Sequence, residues 1–179
     1  MDLPAEPGPL LDELCVRIYK EPLQTRWADR RQLPDVVRTV ALLIDLDTEL
    51  HMNGLAGLIE NSTGEFLPEM ISALEDIGAP KTAQALLSVR QIMATHGITH
   101  AMLRGDFADL EQFEITSFEQ LHGEATAAML REIGSAVSPL LYLHGGADEN
   151  PMALLESYVA VHETVLRALT TEALGSEPG

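Results

Sequence analysis

The segment Leu46-Asp47-Thr48-Glu49-Leu50-His51-Met52-Asn53-Gly54-Leu55-Ala56-Gly57-Leu58-Ile59-Glu60-Asn61-Ser62-Thr63-Gly64 changes character twice. It opens as the end of an apolar-periodic helix, breaks at Asn53-Gly54, rises again through Leu55, Leu58 and Ile59, and breaks a second time at Asn61-Ser62-Thr63-Gly64. Asn and Gly accept positive φ more readily than residues whose Cβ crowds the following carbonyl. Each break therefore suits a helix end and a change of direction. Helix, corner, short helix, corner is the expected local structure, with Asn53, Gly54, Asn61 and Gly64 as corner residues.

Upstream, Leu33-Pro34-Asp35 suits a helix start, because Pro is tolerated in the first turn, and the helix is expected to run to about Met52. At about 100° per residue, Val36, Val37, Val40, Leu43, Ile44 and Leu50 gather on one side, opposite Arg38, Asp45 and Glu49. Asp47 projects toward the apolar side. A buried unpaired carboxylate is costly, so Asp47 is expected to be held by hydrogen bonds to the turn at Asn53-Gly54.

Downstream, a helix from about Glu65 to Ile77 buries Phe66, Leu67, Met70 and Leu74 and ends at Gly78, in a position suited to a left-handed cap. Pro80 opens another helix that stops near Gly97, and Thr99 to Arg104 forms a further piece. Ser117-Phe118-Glu119-Gln120 is a capping-box signature for a helix carrying Phe118, Leu121, Ala125, Ala128, Met129 and Ile133. Asn150-Pro151 supplies a cap and first-turn pair for one long final helix through Leu169. Toward the start, Leu11, Leu14, Cys15 and Ile18 share one helical face, and Arg26, Trp27, Arg30 and Arg31 form the only basic cluster. No stretch holds a period-2 strand pattern. The expected fold is all-α, a single-domain irregular bundle of about eight helices over residues 10–173, with tails at 1–9 and 174–179.

Composition excludes several function classes. The chain has 179 residues, 46% hydrophobic and 22% charged, so it can bury a core and its acidity is not that of a disordered segment. A net charge of −17 repels phosphate, and aromatics at 4% offer few platforms for stacking bases, so direct nucleic-acid binding is excluded. Cys15 is the only cysteine, which rules out an intrachain disulfide. The first residues are acidic where a signal peptide is basic, and the apolar run Val40 to Ile44 is far below the roughly 20 residues of a membrane span. A cytoplasmic protein without membrane contact is expected.

No enzyme motif emerges. A Gly-x-Ser-x-Gly elbow is absent, and Gly54-Leu55-Ala56-Gly57 lacks the Lys-Ser/Thr of a phosphate loop. His96 and His100 stand at i, i+4, a spacing that can hold zinc from a helix, but Gly97 interrupts them. No catalytic residue, metal or cofactor is assigned; a helical metal protein or enzyme built on His96 and His100 is the alternative of a different class.

Charge is divided unevenly. Residues 1–38 hold six basic and seven acidic side chains, whereas residues 39–179 hold five basic and 21 acidic. Neither Lys nor Arg occurs from Thr39 to Pro80 or from Gly105 to Leu130. Soluble surfaces usually intersperse signs, since i,i+4 opposite pairs contribute about 0.2–0.5 kcal/mol and like pairs cost as much. Glu65, Glu69, Ser72 and Asp76 follow i, i+4, i+7, i+11, a row on one helix side. A rise of about 1.5 Å per residue gives that row spacings comparable to a phosphate backbone. Acidity of this degree also serves solubility alone.

Glu49, Asn53-Gly54-Leu55, Asn61-Ser62-Thr63-Gly64 and Ala73-Leu74-Glu75-Asp76-Ile77-Gly78-Ala79 resemble, in order, the pattern of a bacterial helical family that includes DNA-mimic proteins. That pattern is Glu-Val-x-x-Gly-Gly-Phe, a Gln two residues later, Asn-Ser-x-Gly, and Ala-Leu-x-x-Ile-Gly-Ala. The resemblance spans about Leu33 to Met93 and extends more weakly to Tyr142; Asn53, Leu55 and Gly57 depart from it, standing where Gly, Phe and Gln are usual. It implies an acidic protein that occupies a basic transcription factor or nucleoid protein, and it points to a homodimer. Asp45, Glu49, Glu65, Glu69 and Asp76, with Asp106, Asp109, Glu111 and Glu114 as a second patch, are the expected partner-binding residues. An immunity protein bound to a toxin is the alternative within protein binding.

Overall fold

The computed structural model describes residues 9–108, 117–141, 143–144 and 149–175. Ten α-helices and no strand occur among them: α1 Pro9–Arg17, α2 Leu23–Arg26, α3 Asp35–Met52, α4 Gly54–Glu60, α5 Leu67–Asp76, α6 Pro80–Thr95, α7 His100–Ala108, α8 Phe118–Val137, α9 Pro151–Val161 and α10 Glu163–Gly175. Short 3-10 turns at Arg30–Gln32, Ser62–Phe66 and Ser138–Leu140 link them. The architecture is all-α, as the periodicities require. Of the expected tails 1–9 and 174–179, residues 1–8 and 176–179 lie outside the described residues, while Pro9 opens α1 and α10 runs on to Gly175.

The central element is α3. Every residue from Thr39 to Ile44 is buried, so this part of the helix is apolar all round rather than along one stripe. It packs against α4, α5, α9 and α10. Leu42, Leu46, Leu58, Met70 and Leu74 join it in one contiguous core, each such side chain stabilising the fold by about 1.5–3 kcal/mol on full burial. On the far side, α6 packs against α5 and α8, and α7 against α4 and α8.

Caps fall where the sequence puts them. Gly78 has φ +83°, and its N–H donates to Glu75 O while Ala79 N–H donates to Leu74 O, so α5 ends in paired backbone bonds that need a left-handed residue. Ser117 and Gln120 exchange the reciprocal bonds of a capping box, and Asn150 Oδ1 accepts from Ala153 N–H at the start of α9.

Three expectations are corrected. The long final helix is divided at His162, whose φ −103° and ψ 13° leave the helical range, with the Tyr158 and His162 rings 4.4 Å apart at the joint. Within α8, Gly123 has φ +82° and ψ 165°. That kink breaks the phase locally, leaving Ala125 exposed and Ala127 buried, while Met129 and Ile133 beyond it are buried as expected. Glu65 belongs to the 3-10 turn before α5, not to the helix itself.

Candidate functional site

The two corners of the opening segment fold around one carboxylate. Glu49, in the last turns of α3, is buried. Its Oε1 accepts from Asn53 Nδ2 at 2.7 Å and Asn61 Nδ2 at 2.5 Å, and its Oε2 from Thr63 Oγ1 at 3.2 Å. Glu49 thereby joins the end of α3 to both ends of α4, and His100 Nε2, on α7, adds a 2.7 Å bond to Asn61 O. Gly54 opens α4 at φ +64°. A Cβ on Gly64 would lie 2.5 Å from Leu58 O, and one on Gly57 would lie 2.6 Å from Glu49 Oε1 and inside the Asn53 side chain. The Asn53 amide thus serves Glu49 only because residue 57 has no side chain.

Asp45 is engaged as well. Arg30 grips it with two bonds, Nε to Oδ2 at 2.7 Å and Nη2 to Oδ1 at 3.0 Å, and Tyr19 Oη donates at 3.0 Å. Arg30 also donates to Trp27 O. Burial, followed by the Asp45 charge, raises the Tyr19 hydroxyl well above its ordinary range, so it stays a donor. These contacts correct the expectation that Asp45 and Glu49 face outward: α3 is covered on several sides, so the side opposite its apolar stripe is not solvent. The expected role of Asp47 at the Asn53-Gly54 turn is corrected too. Asp47 Oδ1 lies 2.7 Å from His144 Nε2 and 3.2 Å from His51 Nδ1, and Glu49 serves the turn instead.

Glu69, Ser72 and Asp76 of α5 line one groove, and Glu65, from the preceding 3-10 turn, is joined to Glu69 through Arg31. Arg31 Nη1 donates to Glu65 Oε1 at 2.6 Å and its Nε to Glu69 Oε1 at 2.7 Å, while the guanidinium lies 4.8 Å from the Phe66 ring centre. The two carboxylates hold the Arg31 guanidinium firmly protonated. One cation therefore fixes two acids without cancelling their combined charge. Glu75 and Asp76 are exposed further along, and Asp76 Oδ2 accepts from Thr39 Oγ1 at 3.4 Å. A groove of about 320 Å³ runs between α3 and α5, lined by Arg31, Arg38, Glu69, Ser72 and Asp76 among others. Glu69 Oε2 is buried and has no hydrogen bond.

The expected second patch is only partly described. Asp106 is 46% exposed and its Oδ2 lies 2.7 Å from His122 Nδ1. The imidazole of His122 is fully buried, with Glu60 Oε2 3.1 Å from its Nε2. Asp106 and Glu60 thus bind α7 and α4 to α8. Asp109, Glu111 and Glu114 lie outside the described residues. The His96–His100 pair does not converge: His96 Nε2 meets Glu132 Oε2 at 2.8 Å while His100 turns to Asn61.

Sequence reasoning missed the side chains that these acids meet. Arg30, Arg31, His122, His144 and Glu149 each act across at least 15 residues of chain. The basic cluster at Arg30-Arg31, next to a long base-free segment, was the available signal for the first two. No curated protein and no solved structure matches the chain. The DMP19-like protein model matches residues 31–162, consistent with the resemblance to a DNA-mimic family, and that span contains α3 to α9 with the Glu49 hub and the α5 face. Residues 31–162 place this chain in the DMP19-like protein family.

Proposed function

We propose that this chain is a non-catalytic acidic protein of the DNA-mimic type, which occupies the DNA-contacting surface of a basic DNA-binding protein in the cytoplasm. Membership of the DMP19-like family over residues 31–162 carries the reading; the charge of −17 supports it. Lys and Arg groups that hold DNA by its backbone recognise charge and position rather than sequence. Fixed carboxylates at comparable spacing compete for them.

The α5 face is the proposed contact. Glu65 and Glu69 are held by Arg31, and Asp76 is exposed at the far end. Asp106, with Asp109, Glu111 and Glu114, is the proposed secondary patch. Asp45 and Glu49 support the display from within.

Affinity capture from a lysate at two salt concentrations tests the reading. Between about 0.1 M and about 1 M salt the screening length falls from about 10 Å to about 3 Å, so a mimic releases its partner, and duplex DNA added at low salt displaces it too. Reversal of Glu65, Glu69 and Asp76 to Lys should abolish capture. Salt-resistant capture that survives this triple reversal and ignores DNA would overturn the proposal and favour the toxin-antidote alternative. A homodimer is part of the reading; Val161 and Val165, both exposed on α9 and α10, offer it an apolar face.

A further inference from the structure

Outside the acidic face, three metal-ligating side chains meet at the end of α3. Asp47 and His51 stand at i, i+4 in its last two turns, and His144 reaches them from the segment before α9, 97 residues away. One donor atom from each lies within 4.8 Å of the other two. Asp47 Oδ1 lies between the imidazoles, and the His51 and His144 rings meet edge to face at 5.1 Å.

From this geometry we infer a binding site for a divalent transition-metal ion, Zn²⁺ by its donor chemistry, formed by Asp47, His51 and His144. Two imidazoles and a carboxylate suit Zn²⁺ and not Mg²⁺ or Ca²⁺, which take oxygen donors. Bonds of about 2.0–2.2 Å in a tetrahedron put ligand atoms roughly 3.3 Å apart. Asp47 Oδ1, already 2.7 Å and 3.2 Å from the two imidazole nitrogens, adjusts by about 0.6 Å or less, and the two histidine donors close by about 1.5 Å at most. His51 and His144 are 60% and 47% exposed, which leaves their rings room to move once the 3.0 Å contact of His51 Nδ1 with Asp47 O gives way, whereas Asp47, at 22%, is the anchor. The base-free sequence from Thr39 to Pro80 adds negative potential that attracts a cation. A fourth position stays open to water. The ion ties the end of α3 to the segment that leads into α9, a link independent of partner binding.

The full-length chain, stripped with a chelator, is titrated with ZnCl₂ by calorimetry in the presence of excess Mg²⁺, and with Co²⁺ by visible absorption. The expected result is one saturable Zn²⁺ per chain, a tetrahedral Co²⁺ spectrum, and a Zn²⁺-dependent rise in melting temperature. His144→Ala and Asp47→Asn should each weaken binding by more than about 100-fold, since losing a ligand exceeds the 10–100-fold effect of losing an outer partner. His96→Ala/His100→Ala should bind as the parent does. Because His144 is exposed, its variant folds even if Asp47→Asn does not. Absence of saturable binding, or binding that His144→Ala leaves unchanged, would overturn the site and show a hydrogen-bonded cluster only.

Discussion

Glu49 illustrates how one residue's position in space decides its role. As a letter among 28 acids it reads as one more surface charge; in the fold it is a buried acceptor for two amides and a hydroxyl. Glu49→Ala leaves those donors facing no acceptor, and hydrogen bonds to a charged group contribute about 1.5–3 kcal/mol each. A loss of about 3 kcal/mol in urea unfolding is expected; a loss below about 1 kcal/mol would show that the corners hold without it. Glu149 is the second residue of this kind. The start of α6 has no cap of its own, and Glu149 supplies one by accepting from Lys81 N–H at 3.1 Å, Thr82 N–H at 2.8 Å and Thr82 Oγ1 at 2.6 Å. Burial opposes the charged form, but the Thr82 and Lys81 bonds and the Lys81 charge outweigh it, so the carboxyl sits below its ordinary range. A depressed carboxylate contributes stability that is present above the unfolded pKa and lost as pH falls through the folded one. Chemical unfolding below about pH 5 should therefore show a shallower acid decline in Glu149→Gln than in the parent; identical declines would remove Glu149 from that role.

At the scale of elements, the corner between α3 and α4 couples two positions, 53 and 57. Gly57→Ala drives a Cβ into the Asn53 side chain and toward Glu49 Oε1, an overpacking that costs about 1–3 kcal/mol. Asn53→Gly removes the obstruction, so the double variant should be more stable than the sum of the single effects by about 1 kcal/mol, within the range for touching residues. Simple additivity in that cycle would refute the coupling. The same corner shows what sequence could and could not reveal. Its breaks were legible because Asn-Gly and Asn-Ser-x-Gly act locally, as were the Gly78 and Ser117 caps, which concern neighbours along the chain. The orientation of α3 was not. A helix covered on several sides has no single solvent face, and a two-sided reading of its periodicity sent Asp45 and Glu49 outward and Asp47 to the wrong partner. The kink at Gly123 escaped for a similar reason: a phase read from Phe118 carries through only if every intervening residue is helical. For the candidate site, the pairing of the acids was not legible, since Arg31 meets Glu69 across 38 residues.

Across the whole molecule, the sequence division into a near-neutral start and an acidic remainder does not survive folding, because Arg30 and Arg31 from the first part clasp acids of the second. Arg31 then poses the sharpest question about the proposed mimicry, since it lowers the charge of the α5 face while fixing its shape. Arg31→Ala makes that face more negative, and a binding mode governed by charge alone should tighten. A mode that depends on rigid display should weaken, because Glu65 and Glu69 must then be ordered on binding, at about 0.5–1.5 kcal/mol for each immobilised side chain. The charge gained counts for less, because exposed ions in water interact weakly. The ordering cost is the larger of the two, so capture of the basic partner by Arg31→Ala should fall by about three- to tenfold at about 0.1 M salt. The relative deficit should widen as salt rises, since screening removes the charge gain and leaves the ordering cost in place. Titration of parent and variant against the captured partner over that salt range checks both trends, and tighter binding by Arg31→Ala would reduce the α5 face to a cloud of charge with no template in it.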